Sequence, residues 1–375
     1  MQKEVLIAGA GVIGCLLGKV LKKKNISFKI LEKNSQPFKN PSRTVALTSE
    51  SIRFLNTVDS QLDLNAWATP VNNMNLFQDA AQALTLDSDQ EKISSICALD
   101  DLHEKLLNDL NDDISWGTAI NSMSNDKLTE VSTSNGNYSG QIIIASDGTS
   151  SKIRELSGCN VEEWFYGQKA HVCLVKCQHN NEARQYFSNF GTLALLPLNI
   201  EDEEYYSIIL CTNITSDPKT QLEQLNEKYN LSFDLTDVNL GDGFELKHSR
   251  ATKLYENNVI LCGDAANTFH PMAGQGLNLG IGDVMFINDN LDDILNLNQA
   301  TLDRYSKERS MRNLQMTWII QSLYGAFGNA NELGNLLLKS GTANELGSLL
   351  LKSGMGMLDK MPVVKQKIID FANRN

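Results

Sequence analysis

The sequence lacks features that would assign it to several common classes of protein. Its 33 Lys and Arg are outnumbered by 45 Asp and Glu, which gives a formal net charge of −12 over 375 residues. Such an acidic chain is unsuited to phosphate backbones, so nucleic acid is not an expected partner. It has no apolar run of the roughly 18 residues that a membrane-spanning helix needs. The short apolar run at residues 5–8 leads straight into glycines, so we do not interpret it as a signal peptide.

Metal ligands and paired cysteines are also scarce. The seven cysteines contain no Cys-x-x-Cys pair, and the five histidines are scattered. An odd number of cysteines without such spacing is typical of a reducing cytosol. We therefore predict a cytoplasmic protein with no metal site.

The first 32 residues do carry a clear pattern, that of a dinucleotide-binding unit. A predicted strand leads into GAGVIG and a predicted helix, and a second predicted strand ends at Glu32; the three elements cover residues 3–8, 15–24 and 28–31. In this context Gly9 permits a tight turn, Gly11 lets the backbone approach a pyrophosphate, and Gly14 lets the helix pack on the strand. The carboxylate of Glu32 is placed to bind ribose hydroxyls.

A second glycine-rich stretch, GDAANTFHPMAGQGLNLGIGD, covers residues 263–283 and follows a short apolar run that predicts a buried strand. Asp264 stands at the strand end, and a helix is expected to begin near Leu277. Gly280 and Gly282 are expected to permit close packing of that helix. A strand, a glycine turn and a helix start gather free backbone N–H groups at one point, which suits an anion or an electron-rich ring.

These stretches resemble the motifs of the aromatic-ring flavoprotein monooxygenases. The sequence HPMAGQGLNLG is closest to the branch of ubiquinone-biosynthesis hydroxylases. Two further segments fit: Arg43 to Leu47 resembles the family's R-x-x-A-L segment, and DGTSSKIR at 147–154 resembles D-G-x-x-S-x-V-R. The motifs occur in the family's order, and the resemblance covers about residues 3 to 330.

The resemblance implies FAD as the cofactor and a role for each matching residue. Arg43 would reach the FAD phosphates, the backbone of Ile120 would contact the adenine, and Asp147 and Gly148 would form a turn near the flavin. Arg154 becomes a candidate for the NAD(P)H phosphate. The predicted contacts of the isoalloxazine ring are Gly274, Gln275, Gly276, Leu277 and Asn278, and the predicted catalytic residues, which shape the oxygen site, are His270 and Pro271.

One position departs from the family's pattern. An Arg or Gln often touches the diphosphate near the start of the helix that we predict from residue 100. This chain has Asp100, Asp101 and His103 there. The usual diphosphate contact is therefore not expected from this helix, and His103 either substitutes for it or is a solvated side chain.

The predicted fold is an α/β Rossmann-like FAD-binding domain with a discontinuous β-rich substrate domain and a C-terminal helical region. The predicted FAD-binding domain comprises residues 1–66, 99–164 and 250–290, and includes a strand over 114–123. Residues 67–98 and 165–249 form the predicted substrate domain, and residues 291–375 the helical region.

A tandem duplication lies in that C-terminal region. Residues 331–341 recur at 344–354 with a single difference, Asn335 against Ser348. The segment 331–375 has six Lys and Arg and four Asp and Glu, so it is locally positive. We expect two short helices there. They either pack on the core or contact a partner subunit or the inner membrane peripherally.

The implied reaction is the hydroxylation of an aromatic ring with O2 and NAD(P)H as a transient co-substrate. The branch suggests a polyprenylated phenol of ubiquinone biosynthesis, and hence contact with a membrane or a quinone-biosynthesis complex. Two alternatives remain open from the sequence. The chain could hydroxylate a small soluble aromatic, or it could be a low-turnover flavin-binding assembly subunit.

Overall fold

The structure is a computed structural model that describes residues 2–37, 39–78, 81–87, 92–125, 128–188, 191–269 and 275–327. The predicted site residues His270, Pro271 and Gly274 and the 13-residue duplication lie outside the described residues.

The strands are β1 (Gln2–Ala8), β2 (Phe28–Leu31), β3 (Thr44–Leu47), β4 (Thr69–Val71), β5 (Asn73–Gln78), β6 (Ala81–Asp87), β7 (Ser94–Ala98), β8 (Ile114–Ser115), β9 (Ile120–Asn125), β10 (Thr129–Thr133), β11 (Gly136–Ala145), β12 (Val161–Lys176), β13 (Glu182–Ser188), β14 (Gly191–Ile200), β15 (Glu203–Asn213), β16 (Phe244–Ala251), β17 (Tyr255–Glu256), β18 (Val259–Leu261) and β19 (Asn267–Thr268). The helices are α1 (Val12–Lys23), α2 (Ser49–Val58), α3 (Leu64–Trp67), α4 (Leu99–Leu107), α5 (Lys152–Ser157), α6 (Pro218–Lys228), α7 (Gly276–Asp289), α8 (Leu291–Leu295) and α9 (Gln299–Phe327).

The first sheet has a parallel centre. Its strand order is β17-β18-β11-β1-β2-β8, and β10 and β9 extend it from β11 as antiparallel strands. Strands β18, β11, β1, β2 and β8 run parallel. Helix α1 contacts this sheet and packs against α4 and α7. The carboxyl-terminal parts of β1 and β11 and all of β18 are apolar, as expected for parallel strands covered on both faces, and residues 5–7, 142–145 and 259–261 are fully buried.

The second sheet has the order β19-β16-β12-β15-β14-β13-β5-β6 and is antiparallel except between β13 and β5. A small sheet, β3-β7-β4, packs on the second sheet, where β4 and β7 contact β14. Thr44 in β3 donates its hydroxyl to Ser207 Oγ in β15 at 2.8 Å, so one face of the second sheet is directed toward the small sheet. An apolar cluster that includes Val71, Ile96 and Leu196 fills this interface.

The described elements confirm the predicted fold class. The first strand, the glycine turn and the first helix occur where the sequence predicts them, with α1 beginning three residues earlier than expected. The predicted strand over 114–123 is wrong in detail: it is split into β8 and β9 at Gly117, whose φ of +66° is unsuited to a strand. The exact domain boundaries stay a prediction.

Candidate functional site

The site begins where β1 ends and α1 begins. Gly9 has a φ of +93°, and a Cβ there would lie 2.7 Å from Ser146 O. A Cβ on Gly14 would lie 1.9 Å from Gly9 O. A Cβ on Gly11, by contrast, would meet nothing within 4 Å. Two of the three glycines are therefore required by the protein's own packing, and the third borders open space at the N-terminus of α1.

Glu32 closes one side of this loop. Because β2 pairs in parallel with β1, Leu31 lies beside Ala8 and Glu32 follows beside the glycine turn. Its buried carboxylate accepts hydrogen bonds from Ala10 N and Asn34 N, each at 2.8 Å. The carboxylate of Glu32 thus lies beside the glycine loop, where the sequence predicts a ribose contact.

The segment after β8 passes along Glu32. Thr118 N donates to Glu32 O at 2.7 Å, and Gly117 N donates to Asn34 O at 2.8 Å. Ile120 begins β9 two residues later and is half-buried. The structure thus brings Ile120 to the side of the site where Glu32 lies.

Arg43 and Asp264 approach each other from different segments. Burial raises the pKa of the Asp264 carboxyl, and the positive charge of Arg43 partly opposes that shift. The backbone of Arg43 is fixed, because its N–H donates to Asn40 O and its carbonyl accepts from Leu99 N, both at 2.9 Å. The cation therefore stands near the end of β18, at the same edge of the sheet as the glycine loop.

Asp147 and Gly148 form the third loop at this edge. Asp147 Oδ2 accepts from Lys152 N at 2.7 Å and from Ile153 N at 3.2 Å, so it caps α5. Its Oδ1 is buried and has no hydrogen-bond partner among the described residues. Gly148 has a φ of +83°, and a Cβ there would meet nothing within 4 Å. One acceptor and an open space are thus available beside the turn.

Arg154 does not face a solvent-exposed phosphate site. Its side chain is buried, Nη1 donates to Ala265 O at 2.8 Å, and Nη2 donates to Thr149 O at 2.8 Å. The guanidinium therefore ties the Asp147 loop to the loop after β18. The sequence motif suggested that Arg154 contacts NAD(P)H, whereas in the structure this arginine holds two of the motifs together.

The described part of the last motif is anchored by Asn278. Its Oδ1 accepts from Thr48 N at 3.0 Å and from Ser51 Oγ at 2.7 Å, and its Nδ2 donates to Ala46 O at 2.7 Å. Gln275 precedes the first residue of α7, and a Cβ on Gly276 would meet nothing within 4 Å. The hydrogen bonds of Asn278 thereby connect the segment Gln275, Gly276, Leu277 and Asn278 to the segment that carries Arg43.

His103, which the sequence offered either as a substitute for the family's Arg or Gln or as a solvated side chain, is partly buried. Its Nε2 lies 2.6 Å from Ala10 O, so it contacts the glycine loop from α4. One feature of the site was missed from the sequence. Asp283 Oδ2 accepts from Gly263 N at 2.9 Å, which fixes the start of the second glycine-rich stretch. The only signal for Asp283 was a carboxylate within an otherwise apolar helix pattern.

The residues present fit FAD. Three loops follow the carboxyl ends of the parallel strands β1, β11 and β18, where α/β sheets bind their ligands. The open space over Gly11 and the charge of Arg43 suit a pyrophosphate, and Glu32 suits a ribose. The unpartnered Asp147 Oδ1 offers an acceptor to a hydroxyl of the cofactor.

The part of the chain that the structure describes contains neither a metal-binding cluster nor a membrane-spanning helix. Among the residues that the structure describes, no group of three or more His, Cys, Asp or Glu side chains is placed to hold a metal ion. Within the same ranges, none of the helices is both long enough and apolar enough to cross a membrane.

Comparisons with known proteins agree with this geometry. A family model described as "FAD binding domain" matches residues 2–318. The chain is 28% identical over 229 residues to 3-demethoxyubiquinol 3-hydroxylase of Escherichia coli (strain K12), which covers 57% of this chain and 58% of that protein. It is 25% identical over 391 residues to the mitochondrial ubiquinone biosynthesis monooxygenase COQ6 of Xenopus tropicalis, with 84% and 83% covered.

A third match, to COQ6 of Danio rerio, covers 55% of that relative, so the matched length is little more than half for two of these three proteins.

Solved structures share the fold. The p-nitrophenol 4-monooxygenase PnpA from Pseudomonas putida DLL-E4 superposes with a TM-score of 0.77 at 16% identity, over 100% of this chain and 99% of that one. Klebsiella pneumoniae HpxO, in complex with FAD and uric acid, has a TM-score of 0.75 at 15% identity, over 99% and 96%.

Proposed function

The chain belongs to the FAD binding domain family, and from this premise we propose that it is an FAD-dependent monooxygenase that hydroxylates an aromatic ring with NAD(P)H and O2. The observation that supports this most is the meeting of three loops at one sheet edge, after β1, β11 and β18. The E. coli relative is by name a hydroxylase of 3-demethoxyubiquinol, and the Xenopus tropicalis relative is by name a monooxygenase of ubiquinone biosynthesis; both names favour a polyprenylated phenol as the substrate.

In this proposal the protein's residues bind and orient, and the cofactor supplies the redox chemistry. FAD, when bound, takes a hydride from NAD(P)H and in its reduced form activates O2. Arg43 and the first N–H groups of α1 hold the pyrophosphate, and Glu32 accepts hydrogen bonds from the ribose. Residues Gln275 to Asn278 border the flavin ring through their backbone. His270 and Pro271 remain our candidates for shaping the oxygen site.

The second sheet excludes water from the ring to be hydroxylated. Its inner face carries apolar side chains, among them Ala170, Cys211 and Leu246, which form a buried cluster. A dry surface limits the loss of activated oxygen to water. The substrate ring lies between this face and the flavin in our proposal.

A peripheral membrane contact is part of the proposal because a polyprenylated phenol is dissolved in the bilayer. The basic C-terminal segment, residues 331–375, is the proposed contact. Deleting residues 342–354, one copy of the duplication, should lower co-sedimentation with vesicles that contain anionic lipid. Unchanged co-sedimentation of a folded deletion variant would rule out this role of the duplication.

The spectrum of the purified protein tests the proposal first. We expect the two visible bands of oxidised flavin, and their bleaching by anaerobic NADPH. Oxygen and 2-polyprenylphenol should then give NADPH consumption with formation of a hydroxylated product, faster than with a small soluble phenol. Bands that do not bleach, even with the phenol present, would indicate an assembly subunit. A protein that binds no FAD would refute the proposal.

A further inference from the structure

Among the residues that the structure describes, several buried polar atoms without a hydrogen-bond partner lie close together on the second sheet. They are Nε1 of Trp164, Nε2 of His248 and both amide atoms of Asn267. Trp164 pairs with His248 across β12 and β16, and Asn267 pairs with Arg250 on the other side of β16. A buried polar atom that stays unsatisfied loses its hydration without compensation, so a native cluster of this kind calls for a partner.

His248 is the centre of this cluster. Only 2% of it is exposed. Its ring stacks on Trp164 with centroids 3.8 Å apart and meets the edge of Phe269 at 5.6 Å. Phe269 comes directly before residues 270–274 of the glycine-rich stretch. The cluster therefore lies where the second sheet meets the motif that we assign to the flavin ring.

The protonation of His248 restricts what it can bind. Burial, assisted by the charge of Arg250, lowers the pKa of its imidazole to about 3. At neutral pH the ring is uncharged, with one N–H donor and one acceptor nitrogen. Such a ring suits a neutral hydroxyl group better than a carboxylate or a phosphate.

Apolar side chains lead away from His248 along the same face of β16. Alternate residues of a strand share a face, so Phe244 and Leu246 lie on the side of His248. Leu246 packs with Ala170 and Cys211. Phe244 lies at the strand end and is 45% exposed. This row of side chains runs from the exposed, apolar Phe244 to the buried, polar His248.

We propose that His248, together with Asn267 and Trp164, binds the hydroxyl of a phenolic ring, and that Leu246 and Phe244 contact an apolar substituent on that ring. The inference rests on the proposed function and deepens it. It assigns the polar group and the apolar group of the substrate to opposite ends of one strand.

Binding of two matched probes tests the assignment without turnover. The probes are 2-prenylphenol and its methyl ether, which keeps the ring and the prenyl group but has no hydroxyl donor. Each is titrated into the FAD-loaded protein, and the change of the flavin absorption is followed. We expect the wild-type protein to prefer the phenol by about tenfold, the equivalent of one good hydrogen bond.

His248→Phe keeps an aromatic ring between Trp164 and Phe269 and removes both nitrogens. Its preference for the phenol should fall to within about twofold, with the FAD content unchanged. Asn267→Leu, which has a similar volume, should reduce the preference as well, and it serves if His248→Phe does not fold. His171→Phe is the matched control, because His171 is a buried histidine of β12 on the opposite face of the sheet.

The outcomes separate the inference from the proposed function. If folded His248→Phe and Asn267→Leu keep the wild-type preference, or if the wild type binds both probes equally, the inference is wrong. If the preference is present and lost as expected, but the phenol does not stimulate NADPH oxidation in the wild type, the hydroxyl site stands and the proposed reaction falls.

Discussion

Arg309 Nε lies 2.7 Å from Asp283 Oδ1 in the protein interior, where the two residues are 6% and 2% exposed. The same arginine donates from Nη2 to Leu279 O at 2.8 Å, and the other oxygen of Asp283 accepts from Gly263 N. The ion pair of Arg309 and Asp283 therefore connects α9 to α7 and to the loop after β18. A Cβ on Gly282 would lie 2.4 Å from Arg309 Nη2, which explains the glycine there.

Removing the cation of this pair should destabilise the fold strongly. Arg309→Met leaves the Asp283 carboxylate buried without its partner, which typically costs about 3–5 kcal/mol. Urea unfolding measures the free energy of unfolding. Lys307→Met, an exposed change on the same helix, is the control and should stay within about 0.5 kcal/mol of the wild type. A loss below about 1 kcal/mol for Arg309→Met would contradict the role of the pair.

Alanine substitutions of two glycines in the first loop should distinguish an effect on folding from an effect on cofactor binding. Gly14→Ala places a methyl group against Gly9 O and should cost about 3 kcal/mol of unfolding free energy. Gly11→Ala meets no protein atom, so the stability of the FAD-free protein should be unchanged or slightly raised.

The same Gly11→Ala substitution should weaken the binding of FAD. Because the space over Gly11 is where we place the pyrophosphate, Gly11→Ala should raise the dissociation constant of FAD at least about tenfold. Quenching of flavin fluorescence measures it. Wild-type affinity in Gly11→Ala would mean that the pyrophosphate lies elsewhere.

Arg154 should prove to be a structural residue. Arg154→Met removes two hydrogen bonds from a charged donor to the carbonyls of Ala265 and Thr149, and should cost about 3 kcal/mol of unfolding free energy. Lys152 in the same short helix is only partly buried and pairs with the exposed Glu155, so Lys152→Met should have little effect. The KM for NADPH of the folded, FAD-loaded Arg154 variant should equal that of the wild type; a large rise of KM with normal stability would restore the phosphate-binding role.

His248 should contribute to the loss of stability in acid. Its pKa is about 3 in the folded protein and about 6.5 in a free side chain. Between these values the unfolded chain binds a proton that the folded protein does not, so stability falls as the pH falls below 6.5. From pH 7 to pH 5 this should cost about 2 kcal/mol. Urea unfolding of His248→Phe should show a pH dependence weaker by that amount, and an identical pH dependence in both proteins would refute the assignment.

Local patterns predicted the parts of the site that depend on local geometry. Gly9, Gly14 and Glu32 are specified by a strand, a turn and a helix within 32 residues, and the structure confirms this geometry. Arg154 and Asp283 could not be assigned in the same way, because their partners belong to segments far along the chain. The contact of His103 with Ala10 likewise depends on how α4 packs on α1, which no periodicity of the sequence specifies.

The order of the strands in the first sheet also bears on how the protein is made. Strand β1 pairs with β11, and β11 pairs with β18, although the three are far apart in the chain: Ala8 lies beside Ala145, and Ala145 beside Leu261. During synthesis the first glycine loop leaves the ribosome long before Asp264 does. The nucleotide pocket is complete only when the chain has emerged as far as Asn278, so cofactor loading has to be a late event of biogenesis. A truncated chain that ends before β18 would expose a bare edge of its central sheet and become a substrate for chaperones or proteases.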